Sequence, residues 1–165
     1  MHLLASVGRL SGLGLAWILS TTANAQVIVV DTASDVTDFA GARQVADLPG
    51  PDGKVSLAEA GLASDNTPGV QTIGFHVPQN EWTFQYLYPG RAVLTIFLGL
   101  NLHQPVIVDG TTQTAFTGDT NPTGCEVVIM SSMYLVATTG SLVTGLDSTA
   151  IMVSEGSANR GQGNT

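Results

Sequence analysis

The chain has 165 residues, 44% of them hydrophobic and only 11% charged, with a formal net charge of −8. Thirteen acidic against five basic side chains leave no basic face for nucleic acid or anionic lipid. Low total charge with abundant Thr, Ser, Gly and Val argues against both disorder and a helical bundle.

The first residues read as an address. Met1–Arg9 carries one positive charge, Leu10–Leu19 is apolar, and Ala23-Asn24-Ala25 is a small-x-small site before Gln26. That order predicts a secretory signal peptide over residues 1–25, cleaved after Ala25, and the apolar run is well short of the ~20 residues needed to span a bilayer. The mature chain, Gln26–Thr165, is one domain's worth and holds no second apolar run of membrane length. Cys125 is the single cysteine, so no internal disulfide is expected, and its setting in "GCEVVIM" predicts a buried thiol.

Val27–Asp31 is a β-branched run and reads as a first strand. Thr32–Gly53 is polar, rich in Asp, Ala, Pro and Gly, and reads as loop ending in the turn-forming "LPGPDG". A short helix follows. Ser56 and Glu59 have the spacing of a capping box, and Leu57, Ala60 and Leu62/Ala63 form one apolar stripe. Gly61 weakens the helix interior by about 1 kcal/mol relative to alanine, and Asp65–Gly69, with Pro68, stops it. Two turns cannot stand alone in water, so this helix must lie on an apolar surface. The expected site residues are accordingly a structural cap: Ser56, Leu57, Glu59 and Ala60.

Strands are then expected at Thr72–Val77, Trp82–Tyr88, Ala92–Leu98, Pro105–Asp109, Cys125–Met130, Ser141–Leu146 and Ala150–Ser154, separated by turn-rich segments that include "GLNLHQ" and "DGTTQTAFTGDTNPTG". No separator looks long or apolar enough to be a crossover helix, so the expected class is all-β. Ile107 to Val128 spans 21 positions and Val128 to Ile151 spans 23, a recurrence that suits one coil of a solenoid. A β-sandwich is the alternative.

Two stretches carry a resemblance. "DGKVSLAEAGLASDNTPGVQTIGFHVP" (Asp52–Pro78) and "PVIVDGTTQTAFTGDTNPTGCEVVIM" (Pro105–Met130) resemble the CSLREA-type N-terminal region of bacterial secreted right-handed parallel β-helix proteins. Asp52-Gly53, Ser56-Leu57, Glu59-Ala60, Asn66–Gly69, Ile73, Phe75 and Pro105–Gln113 stand at matching positions, whereas Val55 replaces the motif's cysteine and Ala58 its arginine. The resemblance implies an all-β, right-handed parallel β-helix whose first coil is covered by the short helix. It further implies that residues 26–165 are the cap and first rungs of a longer protein, with an open C-terminal rung through which chains would self-associate.

No catalytic, cofactor or metal set is expected. Asp31, Asp35 and Asp38 offer carboxylates of the kind calcium takes, but they read as a solvated acidic loop. "DTNPTG" (Asp119–Gly124) begins like a calcium loop, but Met130 stands where the twelfth-position Glu is required. Asp109 reads as an Asx turn, and His76 and His103 as strand or loop histidines. Trp82, Phe84, Tyr86 and Tyr88 alternate and are expected on one face of a strand, turned inward. After Gly90 only Asp109, Asp119, Glu126, Asp147, Glu155, Arg91, His103 and Arg160 are left for acid/base work, too few to name a pair. The expected function is therefore an exported, cell-surface structural or adhesion-type module, meeting surface polysaccharide or a host or neighbouring cell surface. The alternative is the N-terminal part of a polysaccharide-degrading lyase or glycoside hydrolase.

Overall fold

The computed structural model describes residues 25–97, 100–131, 135–137, 140–148, 151–153 and 158–160. Residues 1–24 of the expected signal peptide, the ends Ala150 and Ser154 of the last expected strand, and Glu155 lie outside these residues. In chain order the strands are β1 (Val27–Val30), β2 (Gln71–Phe75), β3 (Ala92–Ile96), β4 (Leu100–Leu102), β5 (Val106–Asp109), β6 (Val127–Ser131), β7 (Leu135–Ala137), β8 (Leu142–Thr144), β9 (Leu146–Ser148), β10 (Ile151–Val153) and β11 (Ala158–Arg160). Helix α1 (Leu57–Asn66) separates β1 from β2, and α2 (Thr111–Thr117) separates β5 from β6.

All described strand pairings are parallel. They form one sheet in the order β1-β2-β5-β8-β11 and two three-stranded sheets, β3-β6-β9 and β4-β7-β10. Parallel register puts like beside like: Ile28 pairs with Ile73, Ile73 with Val108, and Val108 with Val143, and all four are buried. The second sheet does the same with Leu94 beside Ile129 and Ala92 beside Val127. These ladders, with Phe39, Leu57, Ala60, Ala63, Leu100 and Leu102, make one apolar core.

The expectation of an all-β right-handed parallel β-helix is corrected, as is its β-sandwich alternative. Among the described residues the chain is mixed α/β, with two α-helices and parallel sheets, and the recurrence of 21–23 residues does not relate paired strands. Ile107 pairs with Thr72 and Leu142, whereas Val128 pairs with Val93 and Asp147 in a different sheet, so the residues used to measure a repeat are not partners. Nor is "DGTTQTAFTG" a loop: Thr111–Thr117 is α2, whose Thr112 Oγ1 accepts from Phe75 N at 2.7 Å. The buried amide of Gln113, also on α2, accepts from Val77 N (2.8 Å) and donates to Val77 O (2.9 Å). Those bonds satisfy backbone beyond the end of β2 and hold a threonine-rich helix that propensity alone disfavours.

Other boundaries shift for local reasons. Trp82–Tyr88 is not a strand: a 3₁₀ turn (Gln79–Glu81) leads into a looped segment in which Phe84 adopts φ 55°. Ser141–Leu146 is split at Gly145 (φ 66°) into β8 and β9. A side chain at Gly110 would run into the Gly145 carbonyl, so the two chains cross there only because neither carries one. Leu100–Leu102, read as part of a turn, is β4, and Ala158–Arg160 forms β11 and pairs with β8.

Helix α1 lies on the core through Leu57, Ala60 and Ala63. Gly61 is in the same contact: a Cβ there would stand 2.5 Å from Leu100 Cδ1 and 3.2 Å from Leu102 Cδ2. The glycine that weakens the helix by propensity is what lets it approach β4. Gly61→Ala is therefore expected to destabilise the domain by about 1–2 kcal/mol, the overpacking cost exceeding the helix gain. A raised denaturation midpoint would show that β4 yields freely.

Candidate functional site

Glu59 is the side chain most built upon. Ser56, extended at φ −78° and ψ 163°, caps α1: its Oγ accepts from Glu59 N (3.1 Å), and Glu59 Oε2 accepts from Ser56 N (3.0 Å). The same carboxylate reaches across the fold, where Oε1 accepts from Asp38 N (2.9 Å) and Phe39 N (3.2 Å). Glu59 is only 1% exposed, so its charge is held by three backbone N–H groups rather than by water. Through it the long connection after β1 is fastened to the start of α1, and Phe39 is drawn into the core. Ser56, Leu57, Glu59 and Ala60 lie at the start of α1, and all four are buried.

Most other acids serve the same way. Asp31 Oδ1 accepts from Val55 N (2.8 Å), and Asp31 N donates to Val55 O (3.1 Å). Asp35 Oδ2 accepts from Phe97 N (2.9 Å), Asp38 Oδ2 from Asp52 N (3.2 Å), and Asp109 Oδ1 from Thr111 N (3.0 Å) and Thr111 Oγ1 (2.7 Å). Asp31 and Asp38 are thus spent on the Asp52–Val55 segment and Asp35 on Phe97, rather than on one shared calcium site. Among the described residues no group of three or more His, Cys, Asp or Glu is placed to hold a metal ion. Asp147 pairs with Arg91 (2.7 Å), and Glu126 accepts from the Thr114 hydroxyl.

Two carboxyls depart from their ordinary acidity. Burial first, then the Asp52 and Glu59 carboxylates, hold Asp38 above the usual range, against the Asp52 N–H, which lowers it. Its Oδ1 is buried and accepts no hydrogen bond from the described residues. Burial would also raise Glu81, but hydrogen bonds from Thr32, Ala33 N and Lys54, with the Lys54 charge at 3.3 Å, outweigh it and hold Glu81 below its ordinary value.

A cleft of about 330 Å³ is lined by residues of α1, β3 and β4. Its apolar lining is Ala58, Leu62, Ile96 and Leu100, and its polar lining is Asp35, Thr37, Asn101 and His103. His103 Nδ1 meets Asp65 Oδ2 at 2.9 Å, while Asp65 Oδ1 accepts from His103 N (2.8 Å) and Gln104 N (2.9 Å). His103 is therefore an oriented imidazole at a cleft rather than a plain loop histidine. Its partner sits at the far end of a helix, a pairing that only the folded chain creates. His76 is elsewhere, exposed and stacked on Phe116 with ring centroids 4.9 Å apart. Cys125 is buried beside Asn121, whose Nδ2 donates to Cys125 O at 3.1 Å.

The aromatic run divides. Trp82 packs on the core and its Nε1 donates to Val77 O at 3.1 Å. Phe84, Tyr86 and Leu87 instead point outward, 47%, 97% and 63% exposed. Gln85 fixes this loop from within: Nε2 donates to Arg91 O (2.8 Å) and Thr83 O (3.2 Å), and Oε1 accepts from Gly90 N (3.0 Å). Leu87 N and Tyr88 N both donate to Phe84 O at 2.9 Å. A bulky residue with φ near +55° is a backbone outlier that persists only where its surroundings enforce it.

No protein-family model, curated protein or solved structure matches this chain. No helix among the described residues is long and apolar enough to cross a membrane.

Capping alone would put the joint loss of Ser56 and Glu59 at about 1–2 kcal/mol. Because Glu59→Ala also strands the buried amides of Asp38 and Phe39, it is expected to cost about 3 kcal/mol or more by itself, measured by equilibrium denaturation. A cost near 1 kcal/mol would mean that the loop holds without it. Asp38 binds its proton more readily folded than unfolded, so its ionisation opposes folding above its raised pKa, and that opposition fades as pH falls toward the ordinary 3.8. Asp38→Asn should therefore raise the denaturation midpoint at pH 7 and lose its advantage below about pH 4. An advantage that is constant with pH would contradict this.

Proposed function

We propose that this chain is a structural or adhesion-type module without catalytic chemistry of its own, exported to the cell surface, and that it meets its partner through the Trp82–Gly90 loop. The observation that carries this reading is the contrast between the chain's acids and that loop. Acids that would do proton-transfer work are hydrogen-bonded to backbone amides within the fold. The loop, by comparison, contains no charged residue, is braced by Gln85, and presents Phe84, Tyr86 and Leu87 to solvent. Rigid aromatic side chains supply contact area at small entropic cost, which is what a binding surface requires. The acidic balance steers the loop away from polyanions, and uncharged surface polysaccharide is the partner class that fits. The N-terminal pattern of Met1–Ala25 supports export.

One observation favours the rival reading, a polysaccharide-degrading enzyme: Asp65 orients His103 beside the cleft, half of an acid/base arrangement. A retention assay on immobilised neutral polysaccharides separates the two. Phe84→Ala/Tyr86→Ala/Leu87→Ala is expected to lower retention by about tenfold or more with the fold intact by circular dichroism, and no reducing ends should be released. Retention that ignores the loop would overturn the proposal. Release of reducing ends that His103→Ala abolishes would replace it with the enzymatic reading.

A further inference from the structure

The cleft carries an inference of its own, because it shares no residue with the loop and its polar groups keep hydrogen-bonding capacity. Ile96 and Leu100 are buried and form its floor, while Thr37, Asn101 and His103 are exposed at its edge. Asp35 uses one oxygen on Phe97 N, and His103 uses Nδ1 on Asp65. The second Asp35 oxygen, His103 Nε2, the Asn101 amide and the Thr37 hydroxyl make no hydrogen bond with the described residues. Four polar groups thus share the lining of an apolar-floored space at the small end of the roughly 300–1,000 Å³ range of small-molecule pockets.

We infer that this cleft binds a single uncharged pyranose ring, one C–H face of the sugar on Leu62, Ile96 and Leu100 and its hydroxyls on Asp35, Asn101 and His103. A ring of that kind needs what the cleft offers: an apolar surface for its axial hydrogens, and both donors and acceptors at the rim for vicinal hydroxyls. Asn101 supplies both in one amide. The carboxylates of Asp35 and Asp65 set the charge of the ligand. An acidic sugar would bring a third carboxylate to a site with no Lys or Arg among its lining residues.

This inference goes beyond the surface reading, and its test keeps the two apart. Purified chain is titrated with methyl glucopyranoside, methyl galactopyranoside and methyl mannopyranoside, and with glucuronate, while amide shifts are followed by NMR. At least one neutral glycoside should move the resonances of Asn101, His103 and Leu62 saturably. Asn101→Ala and His103→Ala should each weaken it about tenfold, Asn101→Gln less, and glucuronate should leave the spectrum still. The triple loop variant should titrate like the unaltered chain. The inference is overturned if no neutral glycoside shifts the cleft, if glucuronate binds as well as they do, or if Asn101→Ala and His103→Ala change nothing. A cleft that binds normally in a chain no longer retained by polysaccharide through its loop would leave this site standing and bear on the surface reading alone.

Discussion

One buried carboxylate sets the arrangement of the N-terminal half. Glu59 caps its own helix through Oε2, and its Oε1 holds the amides of Asp38 and Phe39. A carboxylate removed from water is costly unless its lone pairs are filled, and here three backbone N–H groups fill them. In return, α1 has a fixed start, Phe39 a fixed place in the core, and the connection between β1 and α1 a fixed route. The position of α1 then decides what β4 can do, because Gly61 lies against Leu100 and Leu102. The cleft, lined by Ala58 and Leu62 on one side and Ile96 and Leu100 on the other, follows from that contact.

The same economy accounts for the chain's charge. A fold of short parallel strands leaves long connections whose amides find no strand partner. Asp31, Asp35, Asp38, Asp65 and Asp109 each accept from such an amide, and Asp35 and Asp65 do so across large sequence separations. The acidic excess is thus an internal fastening rather than a ligand-attracting face. Asn, Gln and Thr side chains extend the device: Gln113 clamps Val77, Gln71 donates to Pro68 O and Gly69 O, and Thr67 Oγ1 accepts from Val45 N. Groups with capacity to spare are found at the cleft, among them Asn101 and Thr37.

What was legible in the sequence was local. The Ser56–Glu59 spacing identifies a capped helix because both partners lie within one turn. The β-branched runs at Val27, Thr72, Ala92 and Val106 identify strands because each buries one face. What was not legible depended on partners far along the chain. Nothing in "TTQTAFT" signals a helix: its threonines are poor formers, and α2 is held by Thr112 and Gln113 against residues near β2. The alternation of Trp82, Phe84, Tyr86 and Tyr88 imitates a strand, yet Trp82 turns inward and Phe84 turns back on itself. The spacing of Ile107, Val128 and Ile151 suggested a coil, although they pair within different sheets. Of the site, the cap could be read directly. Glu59's hold on Asp38 and Phe39, and the meeting of Asp65 with His103, could not, because backbone amides carry no side-chain code.

Amide hydrogen exchange tests the central claim most directly. Asp38 itself lies outside any helix or strand, where an unbonded amide exchanges within the dead time of the experiment. If Glu59 organises this half of the fold, the amides of Ser56, Asp38 and Phe39 will be protected to the same degree as β1, and Glu59→Ala will release all three together. Fast exchange at Asp38 and Phe39 in the unaltered chain, with Ser56 still protected, would reduce Glu59 to an ordinary helix cap and contradict the account.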